Sequence, residues 1–208
     1  MQKLIILSFF LIHNFIYCQD KTAISILKNL NDFYKSSKNI VVNFNFFITD
    51  NENKTSDLIN GILYIENDNF RLDINDQVII NNSKTQWIYL KDVNEVQIMD
   101  HNSDDIPFQP KDIFNISEND YKVLYIGETE DQMKKYKKIE LFPRQSMPFI
   151  KMQLYIDNLN QQIFKCIMFD KNGGTQTYLI KELQQNIKLK PFTFNINDYP
   201  DIEVIDLR

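Results

Sequence analysis

Apolar and polar positions alternate along most of this chain, and the period of the alternation changes once. From Thr22 to Lys35 the apolar residues fall at 23, 26, 27, 30, 33 and 34, the spacing of one helical face, and Thr22 stands where an N-cap belongs. A lone amphipathic helix must lay that face on apolar surface, here the sheet that follows. From Asn39 to Thr49 the period drops to two. Ile40, Val42, Phe44, Phe46 and Ile48 share one face, and Val41, Asn43, Asn45, Phe47 and Thr49 share the other. That pattern predicts a half-buried strand with a bulky inner face.

Between Gly61 and Ile98 the chain reads as an antiparallel meander. The apolar runs Ile62–Ile65, Phe70–Ile74, Val78–Ile80 and Trp87–Leu90 are separated by polar turn clusters, and Val96–Met99 closes the series. The inward set is expected to be Leu63, Ile65, Phe70, Leu72, Ile74, Val78, Ile80, Trp87 and Tyr89, with Arg71, Asp73, Asn75 and Gln86 facing water. The pattern breaks at 100–119. A polar loop is followed by Ile106, Phe108, Ile113 and Phe114 in a short Pro-punctuated piece, with Pro110 in the position favoured at the start of a helical turn. A short apolar helical segment that interrupts a β series must lie across the sheet as a lid. Strands resume over Tyr121–Gly127, Lys135–Phe142, Phe149–Asp157, Gln162–Asp170 and Thr175–Leu183, and Pro191 to Pro200 adds a further short strand. The runs sum to about eleven strands, which favours one large curved antiparallel sheet or barrel.

No linker or repeat divides the chain, so one domain is expected over 19–208. Residues 1–18 read as a cleaved signal peptide: Lys3 precedes an apolar run over Leu4–Ile12 that is short for a membrane span. Cleavage is expected near Cys18-Gln19. The rival reading, a lipidated Cys18, is disfavoured by the bulky Ile16 and Tyr17 before it. Loss of Cys18 leaves Cys166 alone, so the exported chain has no intramolecular disulfide and is held by its core. Of 23 basic residues Lys3 is lost with the signal, and the remaining 22 against 28 acidic residues give a mature net charge of −6. That balance argues against nucleic acid and against spontaneous adsorption to an anionic membrane.

Catalytic chemistry is poorly supplied. After the signal His101 is the only histidine, in a loop with Asp100, Asp104 and Asp105 that lacks a metal-ligand spacing, and no metal or cofactor is expected. Cys166 has no histidine partner, and there is no nucleophile-elbow, phosphate-loop or paired-cysteine motif. The chain is not expected to be an enzyme. Lys134, Lys135, Lys137 and Lys138 flank Tyr136 in one basic run, readable as a strand start protected from edge pairing or as a patch for an acidic partner. Taken by themselves, the aromatic residues of the meander read simply as core.

A resemblance changes that reading. Gly61-x-Leu63-Tyr64, Phe70-Arg71-Leu72 and Lys84-Thr85-x-Trp87-x-Tyr89, in that order and spacing, resemble the periplasmic outer-membrane lipoprotein carriers, the LolA-like family. The leading helix and the ending Phe192-Thr-Phe…Tyr199-Pro-Asp-Ile-Glu-Val-Ile agree, so the likeness covers nearly the whole mature chain. It implies an incomplete, unclosed antiparallel barrel with an N-terminal helix and a short helical lid. It also implies a monomeric periplasmic carrier that takes lipoproteins from an inner-membrane ATP-binding-cassette transporter toward the outer membrane, with an outer-membrane receptor as a further candidate partner. On that reading Phe44, Phe46, Leu63, Phe70, Leu72, Ile74, Trp87 and Tyr89 line a cavity for acyl chains, and Ile106, Phe108, Ile113 and Phe114 form the lid. Where many members carry a basic residue and a proline after the Gly-x-Leu-Tyr strand, this chain has Asn67-Asp68; where Asp-Gly is usual before Lys-Thr, it has Asn82-Ser83. The alternative is a periplasmic binder of lipids or other small hydrophobes, not committed to lipoproteins.

Overall fold

A computed structural model describes residues 20–52, 54–101, 108–131 and 133–208. The expected signal segment and Ile106 lie outside the described residues. One helix, α1 (Lys21–Lys35), precedes twelve strands of a single sheet. The strands are β1 (Ile40–Thr49), β2 (Ile59–Glu66), β3 (Asn69–Ile74), β4 (Gln77–Asn81), β5 (Thr85–Leu90) and β6 (Glu95–Asp100). After a 3-10 turn at Pro110–Phe114 come β7 (Tyr121–Asp131), β8 (Lys134–Pro143), β9 (Phe149–Asp157), β10 (Ile163–Asp170), β11 (Thr175–Gln185) and β12 (Glu203–Asp206). The spatial order is β12-β6-β5-β4-β3-β2-β1-β11-β10-β9-β8-β7, so β7 and β12 are free edges and the barrel is not closed. Every pairing is antiparallel except β12 on β6.

The mainly β, open architecture is the one expected, with one more strand. The extra strand is not where the tail was read. Pro191 to Pro200 holds a 3-10 turn at Ile196–Asp198, and the pairing begins only at Glu203. The helix cap also differs: Asp20, not Thr22, accepts from the Thr22 and Ala23 amides at 2.9 and 3.3 Å. The other Asp20 oxygen accepts from the Tyr125 amide on the free edge strand β7 at 2.9 Å, so one carboxylate caps α1 and ties it across the sheet.

The sheet curls around α1. Ala23, Ile26, Leu27, Leu30 and Tyr34 are buried on it, in one cluster that reaches from Phe70 and Leu72 on β3 to Val123 on β7. A second cluster lies on the opposite, convex face of the β4–β6 end. There Val78, Ile80, Val96 and Ile98 are covered by Phe192 and Phe194 of the C-terminal tail. Hairpin parity separates the two. The turn at Asn75-Asp76 pairs Ile74 with Gln77 and Leu72 with Ile79, which sends Val78 and Ile80 to the other face. Val78, Ile80, Trp87 and Tyr89 therefore do not join Leu63, Phe70 and Leu72. Gln86, expected in water, is buried on the concave side, where its amide and His101 both bond Asn81.

Candidate functional site

The concave face of the curled sheet is the candidate site. Strand period places Val42 and Phe44 of β1, Leu63 of β2, and Phe70 and Leu72 of β3 on it, all buried. Phe46, Ile65 and Ile74 pack against them at the margin. Cross-strand pairing sets Phe44 opposite Gly61, and the Phe44 ring occupies the space a Gly61 side chain would need: an added Cβ would overlap its Cζ and both Cε atoms. The ring of Tyr178 on β11 lies 5.7 Å from Phe44 and 4.7 Å from Phe46, and burial pushes the pKa of its hydroxyl up. The other half of the wall comes from β8–β10: Ile139, Leu141, Met152, Leu154, Cys166 and Met168. The Cys166 thiol is buried and its pKa pushed up by desolvation, an inert wall group rather than a nucleophile.

Two elements fill this concavity. The apolar face of α1 is one. The other is the lid, in which Pro110 opens the 3-10 turn and Ile113, Phe114 and Ile116 are buried beneath it. Phe114 meets Tyr34 of α1 edge-on at 5.2 Å, and Phe108 meets Phe149 of β9 at 5.3 Å. Lid and helix are joined by Asn31 Nδ2, which donates to the Ile116 carbonyl at 2.6 Å. The lid is pinned to the β2–β3 turn by Lys111. Its ammonium donates to the Asp68 carbonyl at 3.1 Å and stands 5.3 Å from the centre of the Phe70 ring. Asp112 anchors the turn by accepting from the Gln109 amide at 2.7 Å, and burial raises the pKa of its carboxyl above the usual range.

Two openings flank the lid. A groove of about 540 Å³ runs between the end of α1, the β2–β3 turn and the lid; its lining is largely polar, with Lys38, Asn39, Asp68 and Lys111, and Tyr34 and Phe114 form part of it. On the far side a recess of about 220 Å³ is bounded by Phe108, Phe149, Met168 and Tyr178. Beneath α1 and the lid the concave wall is aromatic and aliphatic.

Of the eight wall residues read from the sequence, the structure gathers Phe44, Phe46, Leu63, Phe70, Leu72 and Ile74 on the concave side. Trp87 and Tyr89 stand apart in the convex cluster, Tyr89 against Phe194 at 5.4 Å and Tyr199 at 4.7 Å. Ile113 and Phe114 are buried in the concave cluster and Phe108 packs against it; Ile106 lies outside the described residues. Sequence reading missed the β8–β11 wall, although Ile139/Leu141 and Met152/Leu154/Ile156 repeat at period two. No group of three or more metal-ligating side chains occurs among the described residues.

A family model described as outer membrane lipoprotein carrier protein LolA matches residues 35–197. No curated protein sequence matches the chain. Among solved structures, an uncharacterized conserved protein from Thermus thermophilus is similar at 15% identity and TM-score 0.56, over 89% of this chain and 99% of that one. LprF from Mycobacterium bovis is similar at 8% identity and TM-score 0.50, over 83% and 98%. A LolA superfamily protein from Nitrosomonas europaea superposes at 17% identity and TM-score 0.46, over 83% and 97%.

Proposed function

The chain belongs to the outer membrane lipoprotein carrier family LolA, and on that premise we propose that it is a periplasmic carrier, without enzymatic activity, that shelters lipoprotein acyl chains in the trough under α1 and the lid. A cleaved signal over 1–18 and a carrier domain over 19–208 are part of the proposal. What supports it is that one apolar cluster is shared between the concave face of the sheet and two elements laid on that face. On this reading the trough belongs to the sheet and the covers are α1, tied through Asp20 to Tyr125 and through Tyr34 to Ile163, and the 3-10 lid, tied through Ile116 to Asn31 and through Lys111 to Asp68.

The physical need is large. Exposing an acyl chain costs about 0.8 kcal/mol per methylene, on the order of 12 kcal/mol for a chain of ~16 carbons. A rigid open trough would itself expose apolar surface when empty. Covers that fill it with the chain's own side chains remove that cost, and release becomes a competition between covers and cargo. An inner-membrane ATP-binding-cassette transporter would supply the cargo, and an outer-membrane receptor is a candidate acceptor.

The test is purification of the mature protein from the cell envelope under native conditions, with mass spectrometry of what it carries. Triacylated lipoproteins are the expected cargo. Free lipids alone would replace this reading with a general acyl binder, and an empty protein that also refuses a hydrophobic dye would remove the trough from consideration.

A further inference from the structure

Two large apolar side chains are almost wholly exposed, Met133 at 93% and Leu159 at 91%. Both sit at hairpin tips, β7–β8 and β9–β10, and the tips are neighbours because β8 pairs with β9, Tyr136 opposite Asp157. The Asn158 amide donates to the Lys135 carbonyl at 3.2 Å, and Asn158 Nδ2 donates to Glu128 at 3.1 Å, fastening one hairpin to the other. The Leu159 turn is well held: Asp157 Oδ1 accepts from the Leu159 and Asn160 amides at 2.7 and 3.1 Å. Met133 adopts φ 63°, a conformation that Asn or Gly takes more readily. Neither turn needs an apolar residue, and neither side chain gains burial within the chain.

Behind the tips lies a layer of lysines and aromatic rings. Lys134 and Lys135 are exposed beside Met133. Tyr136 stacks on Phe164 at 4.5 Å, and Tyr155 lies between Lys138 at 5.4 Å and Lys165 at 4.3 Å. Apolar points, then rings and amines, is the sequence of environments crossed from acyl chains through headgroups to water.

We propose that these two tips dock the protein on a phospholipid bilayer, with Met133 and Leu159 entering the headgroup boundary. Local charge fits a bilayer of mixed composition: Glu128, Glu130 and Asp131 stand opposite Lys137, Lys135 and Lys134, so docking does not require a strongly anionic surface. The orientation also points one opening of the trough at the membrane. Tyr34, which lines the 540 Å³ groove, accepts from the Ile163 amide at the foot of the β9–β10 hairpin. The proposal goes beyond the carrier reading and does not depend on which cargo is carried.

The test uses the mature chain with Leu159→Cys bearing an environment-sensitive fluorophore, and a second label at Asn172→Cys in the β10–β11 turn of the opposite rim; Cys166 is buried and stays unlabelled. Vesicles of phosphatidylethanolamine and phosphatidylglycerol should blue-shift emission at 159 and leave 172 unchanged. Met133→Ser combined with Leu159→Ser should lower vesicle partitioning about tenfold or more, with an unchanged melting temperature. No shift at 159, an equal shift at 172, or undiminished partitioning of the folded double variant would overturn the proposal.

Discussion

Phe44 and Gly61 face each other across β1 and β2, and the ring fills the space over the glycine. The glycine of the Gly-x-Leu-Tyr signature is there because a phenylalanine ring on the neighbouring strand fills its side-chain space. Gly61→Ala is expected to destabilise the fold by about 1–3 kcal/mol, through a displaced ring and shifted strand, read as a lower urea midpoint. Phe44→Leu in the Gly61→Ala background should recover part of the loss, since the two changes share one contact. At Asp20 the Tyr125 amide, together with the helix-cap amides, holds the carboxyl pKa below the usual aspartate range. A depressed native pKa means its stabilising effect is complete above the unfolded value and disappears as pH falls through the native one. Asp20→Asn should therefore weaken the dependence of melting temperature on acidic pH; an unaltered profile would show that the cap does not couple to stability.

At the scale of elements, the 3-10 segment is tied to the β2–β3 turn by its own lysine. Where the family resemblance leads one to expect a basic residue after the Gly-x-Leu strand, this chain has Asn67-Asp68, and Lys111 of the 3-10 segment donates to the Asp68 carbonyl. Lys111→Ala removes one hydrogen bond and one cation–ring contact, together worth about 1 kcal/mol at a half-exposed site, so binding of a hydrophobic dye should rise about threefold to tenfold. Unchanged dye binding would mean that α1, not the lid, is the limiting cover. The sequence made these elements legible wherever the period was unambiguous: α1, β1 and the Pro110 turn fall where spacing puts them. Faces were harder. Val78, Ile80, Trp87 and Tyr89 look like a continuation of Phe70, Leu72 and Ile74, yet a two-residue turn exchanges the faces between β3 and β4. What covers that face of β4–β6 is the tail, roughly a hundred residues later, and no local pattern announces that contact.

The whole molecule thus has two apolar systems on opposite faces of one sheet, and the proposed carrier role needs only the concave one to open. The tail is fixed where it leaves β11 by Asn39, whose amide group donates to the Ile187 carbonyl at 2.9 Å and accepts from its N–H at 3.1 Å. The stacked Phe194 and Tyr199 then close over Tyr89. Trp87, the single tryptophan, reports on that closed side. Phe194→Ser should move its emission to the red, while filling of the trough by an acyl ligand should leave it nearly unchanged. A large ligand-induced shift at Trp87 would show instead that the two systems communicate.

The decisive experiment titrates the purified mature chain with a triacylated lipopeptide and follows the soluble complex by native mass spectrometry. One lipopeptide per chain is expected, with loss of the complex when the acyl chains are removed from the peptide. Hydrogen exchange in α1 and the lid should rise as the ligand displaces them. Equal binding of the deacylated peptide, or a complex in which α1 and the lid stay as protected as in the empty chain, would refute a trough with removable covers.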